Sequence, residues 1–189
     1  MNATGIILAG GKSSRMGSDK GLLELDGKPM IKHIIDNLAL LEIPTMIISN
    51  NEEYRRFGLP VHFDKVKDKG PVGGIYSGLS HTETEINIIL SCDVPFVSKN
   101  LMTYLLENSS DYDIVIPKLG EKIHPLVGIY KKSSIETFKS HLQREQRKLI
   151  TVCNSLNSHI IDLGKHSTLN DPRLFSNINT REELNTIEL

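Results

Sequence analysis

The stretch GIILAGGKSSRMGSDK, residues 5–20, decides how the rest of the chain is interpreted. Its apolar opening is typical of a buried strand, and two glycines, Gly10 and Gly11, follow directly. Glycine adopts positive φ and lets backbone N–H groups approach an anion closely. Three cations come next, among which Arg15 offers a rigid charged fork and Lys20 a mobile point charge. The stretch therefore predicts a strand followed by a phosphate-binding loop.

Two common phosphate-binding motifs are excluded by spacing. The Walker A motif requires G-x-x-x-x-G-K-[ST], but Gly11 separates Gly10 from Lys12, so the match fails by one position. The dinucleotide motif G-x-G-x-x-G also fails, because Gly10, Gly11 and Gly17 have the wrong spacing. We therefore do not expect a P-loop ATPase or GTPase, nor an NAD-dependent dehydrogenase.

Apolar runs alternate with amphipathic stretches along the chain, which predicts an α/β fold. The expected architecture is a Rossmann-like three-layer sandwich. In it, helices cover both faces of a mainly parallel central sheet. Strands are predicted at 5–8, 45–49, 61–63, 86–91, 113–117, 125–130 and 159–163, with a short extended piece at 22–25. Helices are predicted at 29–41, 72–81, 101–106, 133–142 and 149–156, with a short polar helix after Asn51 and a last helix opened by the capping box at Thr180.

The carboxyl ends of the first four predicted strands carry polar or glycine residues. In open α/β sheets the ligand crevice lies at this edge. Gly10, Asn50, Asp64 and Asp93 stand there, so glycine, amide and carboxylate groups are expected to converge on one site.

Composition excludes several other classes of protein. The 189 residues suit a single domain, and the net charge of −1 provides no broad basic field for nucleic acid or an acidic membrane. Aromatic residues make up 5% and tryptophan is absent, which disfavours single-strand stacking platforms. Cys92 and Cys153 lack metal-ligand spacing, and neither a signal peptide nor a membrane-spanning run is apparent. We expect a cytoplasmic protein with free thiols.

The stretch LAGGKSSRMGSDKGLLELDGKPM, residues 8–30, closely resembles the opening of the molybdenum cofactor guanylyltransferases, the MobA family. Related cytidylyltransferases commonly have proline before the lysine, whereas this chain has Ser18-Asp19-Lys20. DKGPVGGIYSGL, SCDVPFV, HPLVGIY and FSNINTREEL resemble the family's later landmarks in order, so the resemblance spans nearly the whole chain. It implies a fold of the nucleotide-diphospho-sugar transferase type.

The resemblance also implies which residues form the site. It assigns Mg²⁺ to Asp93, a position that the residues alone describe equally well as a turn aspartate. Arg15, Lys20 and Asp93 are the expected catalytic residues. The expected nucleotide- and metal-binding residues are Leu8, Ala9, Gly10, Gly11, Lys20, Asn50, Asp64 and Asp93. Asp68 is an alternative to Asp64 as the residue that contacts the nucleotide, and Asn51 is an alternative to Asn50.

The implied reaction joins GMP from GTP to molybdopterin and releases pyrophosphate. The attacking phosphate oxygen is already ionised, so catalysis needs alignment and charge neutralisation rather than a strong base. Open alternatives are a transferase using CTP with molybdopterin, or an NTP with a sugar phosphate, and a non-catalytic nucleotide-binding domain. The implied partners are GTP, molybdopterin, a protein that delivers molybdopterin and a molybdoenzyme apoprotein, with neither nucleic acid nor membrane.

The chain is expected to form one nucleotidyltransferase domain, residues 1–189. Its nucleotide-binding half spans about 1–100 and its acceptor-binding half about 101–189. His124, Asn177 and Asn179 fall in stretches that resemble the second-substrate region of the family. Alternatively, His124 caps a hairpin and the two asparagines satisfy turn backbone.

Overall fold

The computed structural model describes residues 2–10, 19–166 and 168–176. The strands are β1 Ala3–Leu8, β2 Glu24–Leu25, β3 Lys28–Pro29, β4 Thr45–Ile48, β5 Val61–His62, β6 Ile86–Ser91, β7 Ile114–Leu119, β8 Lys122–Ile123, β9 Val127–Lys131 and β10 Ser158–Asp162. The α-helices are α1 Met30–Ala39, α2 Gly70–His81, α3 Lys99–Glu107, α4 Ile135–Gln143 and α5 Leu149–Cys153. The capping box at Thr180 and the helix predicted after it lie outside the described residues.

The main sheet runs in the order β10-β7-β9-β6-β1-β4-β5, with β8 paired to β7. Strand β1 lies between β4 and β6 and is parallel to both, and β5 continues the parallel set beyond β4. Strand β9 is antiparallel to both β6 and β7, while β10 is parallel to β7. The prediction of a mainly parallel sheet is confirmed.

Helices cover both faces of this sheet, as predicted. On one face α1 and α3 pack against side chains such as Ile7 and Ile88. On the other face α2, α4 and α5 pack against side chains such as Ile6 and Ile89. Neighbouring residues of a strand point to opposite faces, so the continuous apolar runs of β1 and β6 bury both sides at once. The three-layer sandwich is confirmed.

Some predicted boundaries were wrong by one to three residues. Helix α1 ends at Ala39 rather than near Leu41, because the chain turns through Glu42 at φ 55° before reaching Pro44. Helix α5 ends at Cys153 rather than Leu156. The Ser155 hydroxyl donates to the carbonyl oxygen of Val152 at 2.7 Å, which satisfies a group that a longer helix would have paired.

The two buried cysteines agree with the expectation of free thiols, since neither Cys92 nor Cys153 forms a disulfide. Burial raises the pKa of both thiols above the ordinary value. Among the described residues, none of the helices has the length and apolar character needed to cross a lipid bilayer.

Close packing of β9 generates a stability prediction. A Cβ at Gly128 would lie 2.7 Å from both the Ile116 Cγ2 and the backbone oxygen of Val115, and the latter cannot rotate away. Overpacking of this kind costs about 1–3 kcal/mol, and each 1 kcal/mol lowers the Tm of a chain this long by about 2–4 °C. We expect Gly128→Ala to melt several degrees lower by circular dichroism.

Gly74→Ala is the matched control. Its Cβ would meet the Leu8 side chain at an ordinary 3.5 Å, and alanine favours the helix in which it lies. Its Tm should be unchanged or higher. Equal melting of Gly128→Ala and the wild type would contradict the packing described for β9.

Candidate active site

A cleft of about 840 Å³ opens at the carboxyl ends of the parallel strands. Its volume lies in the range of small-molecule sites. Backbone hydrogen bonds between the strands continue up to this edge. Ala9 N donates to the carbonyl oxygen of Ile48 at 2.9 Å, and Cys92 N donates to the carbonyl oxygen of Leu8 at 3.0 Å. The residues that follow β1, β4 and β6 are therefore brought side by side.

Most of the predicted nucleotide-binding residues line this cleft. They are Leu8, Ala9, Gly10, Asn50, Asp64 and Asp93. The competing candidates Asn51 and Asp68 line it too, so lining alone does not choose within either pair. Gly11 and Arg15, together with Asn177 and Asn179, lie outside the described residues.

Lys20 begins a short 3-10 helix, Lys20–Leu22, directly after Asp19. Asp19 lines the cleft, whereas Lys20 is not among the described residues that do. The pKa of Cys92 is raised mainly by burial and further by the charges of Asp93 and Asp19, and is lowered by the charge of Lys20. All three charges therefore act on the buried thiol of Cys92, which follows β6.

Asp64 carries a carboxylate oxygen that the protein leaves unpaired. Its Oδ1 is buried and has no hydrogen-bond partner among the described residues. Burial raises the pKa of this carboxyl. The Ser77 hydroxyl lowers that pKa by less, and it donates its own hydrogen to the Gly73 carbonyl oxygen at 2.8 Å. An unpaired buried acceptor facing a cleft is suited to a ligand that brings N–H donors.

The two asparagines have different local roles. The Asn50 side-chain oxygen accepts from the backbone N–H of Asp64 at 3.2 Å and so holds that residue at the cleft. The Asn51 side chain caps the 3-10 helix Glu52–Phe57 through its oxygen and donates to Asp19 Oδ2 at 3.2 Å through its nitrogen. Asn51 is therefore engaged at both ends by the protein, which favours Asn50 as the nucleotide contact.

Asp93 stands just beyond β6, where the chain leaves the sheet towards Pro95. It is half-buried and lines the cleft, as does Ser91 at the end of the strand. Within the described ranges, no group of three or more His, Cys, Asp or Glu side chains could hold a metal by itself. A magnesium ion bound through one carboxylate, substrate phosphates and water needs no such group.

The amino end of α2 also borders the cleft. Gly70 has φ 60°, a left-handed conformation, and Pro71 follows at the start of the helix, where no N–H is needed. Gly70, Pro71 and Gly74 all line the cleft. The first turn of a helix carries unpaired N–H groups and partial positive charge, so this wall is electrostatically suited to an anion.

Sequence reasoning missed an ion-pair group that joins the two halves of the chain at the cleft. Lys69 Nζ lies 2.6 and 2.7 Å from the two carboxylate oxygens of Glu145, and Arg147 Nη2 lies 3.1 Å from Glu145 Oε2. Hydrogen bonds from Lys69 and then from Arg147 lower the pKa of Glu145. Lys69 and Arg147 both line the cleft. The only sequence signal was the charged run Arg144–Lys148.

His124, a predicted second-substrate residue, packs elsewhere. Its ring stacks on Phe175 with a centroid distance of 3.9 Å, and it is not among the described residues that line the cleft. Burial, with a smaller contribution from the Lys122 charge, lowers the pKa of His124 to about 4. His124 directly follows β8, and its backbone N–H donates to the carbonyl oxygen of Pro117 in β7 at 2.9 Å. A role in substrate binding stays a prediction.

These features of the cleft define a class of protein. A parallel α/β sheet ends in Gly10, carboxylates and a helix amino terminus around one cleft, which is the arrangement of a nucleotide-binding enzyme. Residues 5–159 match the family described as the MobA-like NTP transferase domain, and the chain belongs to that family of nucleotidyltransferases.

Curated relatives match along almost the entire chain. A protein of Flavobacterium johnsoniae named "Probable molybdenum cofactor guanylyltransferase" is 36% identical over 187 residues, covering 98% of this chain and 96% of that protein. A "Molybdenum cofactor guanylyltransferase" of Vibrio campbellii is 37% identical over 185 residues, covering 95% and 91%. The resemblance to this family inferred from the motifs is confirmed.

Solved structures confirm the fold. The molybdopterin-guanine dinucleotide biosynthesis protein A of Archaeoglobus fulgidus superimposes with a TM-score of 0.80 at 23% identity, covering 96% of this chain and 95% of that one. A structure from Aquifex aeolicus described as a putative protein gives a TM-score of 0.77 at 28% identity, covering 94% and 93%. The expected nucleotide-diphospho-sugar transferase type of fold is confirmed.

The unpaired oxygen of Asp64 generates a prediction on stability. Because the folded-state pKa is raised, ionised Asp64 destabilises the free protein, and this destabilisation disappears as the pH falls through that pKa. We expect Asp64→Asn to have a higher Tm than the wild type at neutral pH, with the difference shrinking in acid. Differential scanning fluorimetry across pH, without nucleotide, measures this.

Asp26→Asn is the control, since Asp26 is exposed in the β2–β3 turn and asparagine tolerates its φ of 52°. It should follow the wild type at every pH. A Tm of Asp64→Asn below the wild type at neutral pH would mean that the carboxylate has a stabilising partner.

Proposed function

We propose that this protein transfers GMP from GTP to the terminal phosphate of molybdopterin, forming the guanine dinucleotide cofactor and releasing pyrophosphate. One observation carries the proposal. Six of the predicted nucleotide- and metal-binding residues line one cleft, in a protein 36% identical to a named guanylyltransferase over 98% of its length.

Asp64 supports guanine as the base. Guanine presents two adjacent donors, the ring N1–H and the exocyclic amine, and a carboxylate accepts both. The buried, unpaired Oδ1 of Asp64 supplies such an acceptor, and Asn50 fixes the backbone beside it. Cytosine offers an amine next to a ring acceptor, which a carboxylate would repel. Leu8, Ala9 and Gly10 border the same space with their backbone groups.

Mg²⁺ is the proposed cofactor, and Asp93 would hold it. The carboxylate is a hard oxygen ligand at the cleft, which suits this ion when phosphate oxygens and water complete the shell. When bound, the ion would neutralise negative charge on the phosphates. Cationic residues of the chain would add to this: Arg15 and Lys20 would stabilise the charge that develops on the α-phosphate and on the departing pyrophosphate.

The acceptor would enter from the carboxy-terminal half, about residues 101–189. Arg147 is the cation that this half contributes to the cleft lining, and it would bind the terminal phosphate of molybdopterin. Glu145 contacts both Arg147 and Lys69, and so orients the guanidinium at the cleft edge. The amino-terminal half, about residues 1–100, supplies the rest of the single nucleotidyltransferase domain.

The proposed function also implies protein partners and a cellular compartment. A protein that delivers molybdopterin and an apoenzyme that receives the product would contact the open side of the cleft. Unpaired, buried Cys92 and Cys153 suit a reducing compartment, so we place the reaction in the cytoplasm.

The function is tested by pyrophosphate release with each of the four NTPs and Mg²⁺, with and without molybdopterin. We expect pyrophosphate release with GTP only, and only when molybdopterin is present.

Arg15→Ala and Asp93→Ala should remain folded and lose roughly 100- to 1000-fold in turnover, as removal of one electrostatic donor commonly does. Release with CTP would favour the cytidylyl alternative, and nucleotide binding without any release would favour a sensor.

Arg147→Ala tests the acceptor contact. A charge-assisted hydrogen bond contributes about 1.5–3 kcal/mol, so the KM for molybdopterin should rise about tenfold or more while the KM for GTP stays near the wild type. Arg144→Ala removes a cation from the same loop that does not line the cleft, and should leave both values unchanged. An unchanged molybdopterin KM in Arg147→Ala would remove Arg147 from the site.

A further inference from the structure

Asp19 is the point where three separate donors meet. Its Oδ1 accepts from the Tyr54 hydroxyl and, at 3.3 Å, from the backbone N–H of Gly21. Its Oδ2 accepts from the Asn51 side chain at 3.2 Å. Two of these donors lie more than thirty residues away, on the segment after β4. We call Asp19, Asn51 and Tyr54 the Asp19 anchor.

Tyr54 is buried, and its hydroxyl donates to Asp19. The side chain is 0% exposed and lies against Phe57, with ring centroids 6.3 Å apart. Gly21 lets the chain approach closely, because a Cβ there would lie 2.5 Å from the Tyr54 hydroxyl and 3.2 Å from the Cys92 Cβ. Burial and then the charges of Cys92 and Asp19 raise the pKa of Tyr54, so the hydroxyl stays a donor.

A carboxylate facing the cleft needs an explanation, since the proposed substrate is a polyanion. A free carboxylate would repel the phosphates or bind a metal ion. The oxygens of Asp19 already accept hydrogen bonds from protein donors, which disperse its charge and hold it in place. Asp93 lines the same cleft, and within the described ranges its carboxylate has no comparable set of donors, which separates the two carboxylates chemically.

Asp19 also lies next to a proposed catalytic residue in the chain. It directly precedes Lys20, the proposed cation for the α-phosphate, and caps the 3-10 helix that Lys20 begins. Resting on the proposed function, we propose that the Asp19 anchor is a positioning device. Asp19, held by Tyr54 and Asn51, fixes the start of the 3-10 helix Lys20–Leu22 and so aims Lys20, and it touches neither nucleotide nor metal.

Positioning has kinetic consequences that differ from those of binding. A cation displaced by about 1 Å costs up to about 100-fold in turnover. Tyr54→Phe removes one hydroxyl and keeps the ring, so the fold should persist. We expect its kcat to fall about 10- to 100-fold, with the dissociation constant for GTP changed by less than about threefold. Asp19→Asn should behave alike, and neither variant should change the Mg²⁺ concentration for half-maximal rate.

A double-mutant cycle asks whether the hydroxyl acts through Lys20. Pyrophosphate release is measured for wild type, Tyr54→Phe, Lys20→Ala and the double variant. If the anchor serves Lys20, the double variant is no slower than Lys20→Ala, because the effects of coupled residues do not add. If the hydroxyl merely stabilises the fold, the two losses multiply and the Tm falls, which overturns the proposal.

Tyr104→Phe is the matched control. It also removes a tyrosine hydroxyl, one 2.6 Å from His166 Nε2, at a residue not among those described as lining the cleft. Its kcat should equal the wild type. An unchanged kcat in Tyr54→Phe, or a higher Mg²⁺ requirement in Asp19→Asn, would overturn the anchor. A wild type that releases no pyrophosphate would instead overturn the proposed function, and the anchor with it.

Discussion

The parallel pairing of β1 with both of its neighbours is the constraint on which the rest of the site depends. Leu8 is in register with Ile48 on one side and Ser91 on the other, so the three strands end at the same level. The residues that follow then share one edge, and carboxylates distant in sequence become neighbours. Apolar side chains on both faces hold this register, because a shift by one residue would move Ile6 and Ile7 out of the two cores in which each is fully buried and packed.

Three aspartates at that edge have different local surroundings, which suit different roles in the proposed function. Asp19 is occupied by protein donors, Asp64 has a buried oxygen with no partner among the described residues, and Asp93 is half-buried where the chain leaves β6. The first state suits a structural anchor, the second the reading of a base that brings its own donors, and the third a hydrated cation. The local hydrogen bonds, rather than the carboxylate itself, distinguish these roles.

Sequence pattern predicted the apolar elements well and the long-range contacts poorly. The bounds of β6 match the predicted 86–91, because a fully buried strand is apolar throughout and ends at a clear polar boundary. The antiparallel direction of β9 has no such signal, and β8, only Lys122–Ile123, is too short to show a period. Asp19 and Arg147 were missed as cleft residues because their partners are fixed by tertiary contacts that no local spacing encodes.

The antiparallel strand also bears on the proposed function, because it would let an acceptor bound by residues 101–189 reach the nucleotide. Strand β9 inserts between β6 and β7, so both halves share one sheet, and Leu126, just before β9, borders the cleft. The exposed Lys69–Glu145 ion pair contributes little to holding the halves together, since such pairs are worth about 0–1 kcal/mol. The shared sheet joins the two halves, and Glu145 accepts a hydrogen bond from Arg147 at the cleft edge. A rigid sheet with a charged cleft edge suits a transfer in which two phosphates must be aligned before any bond forms.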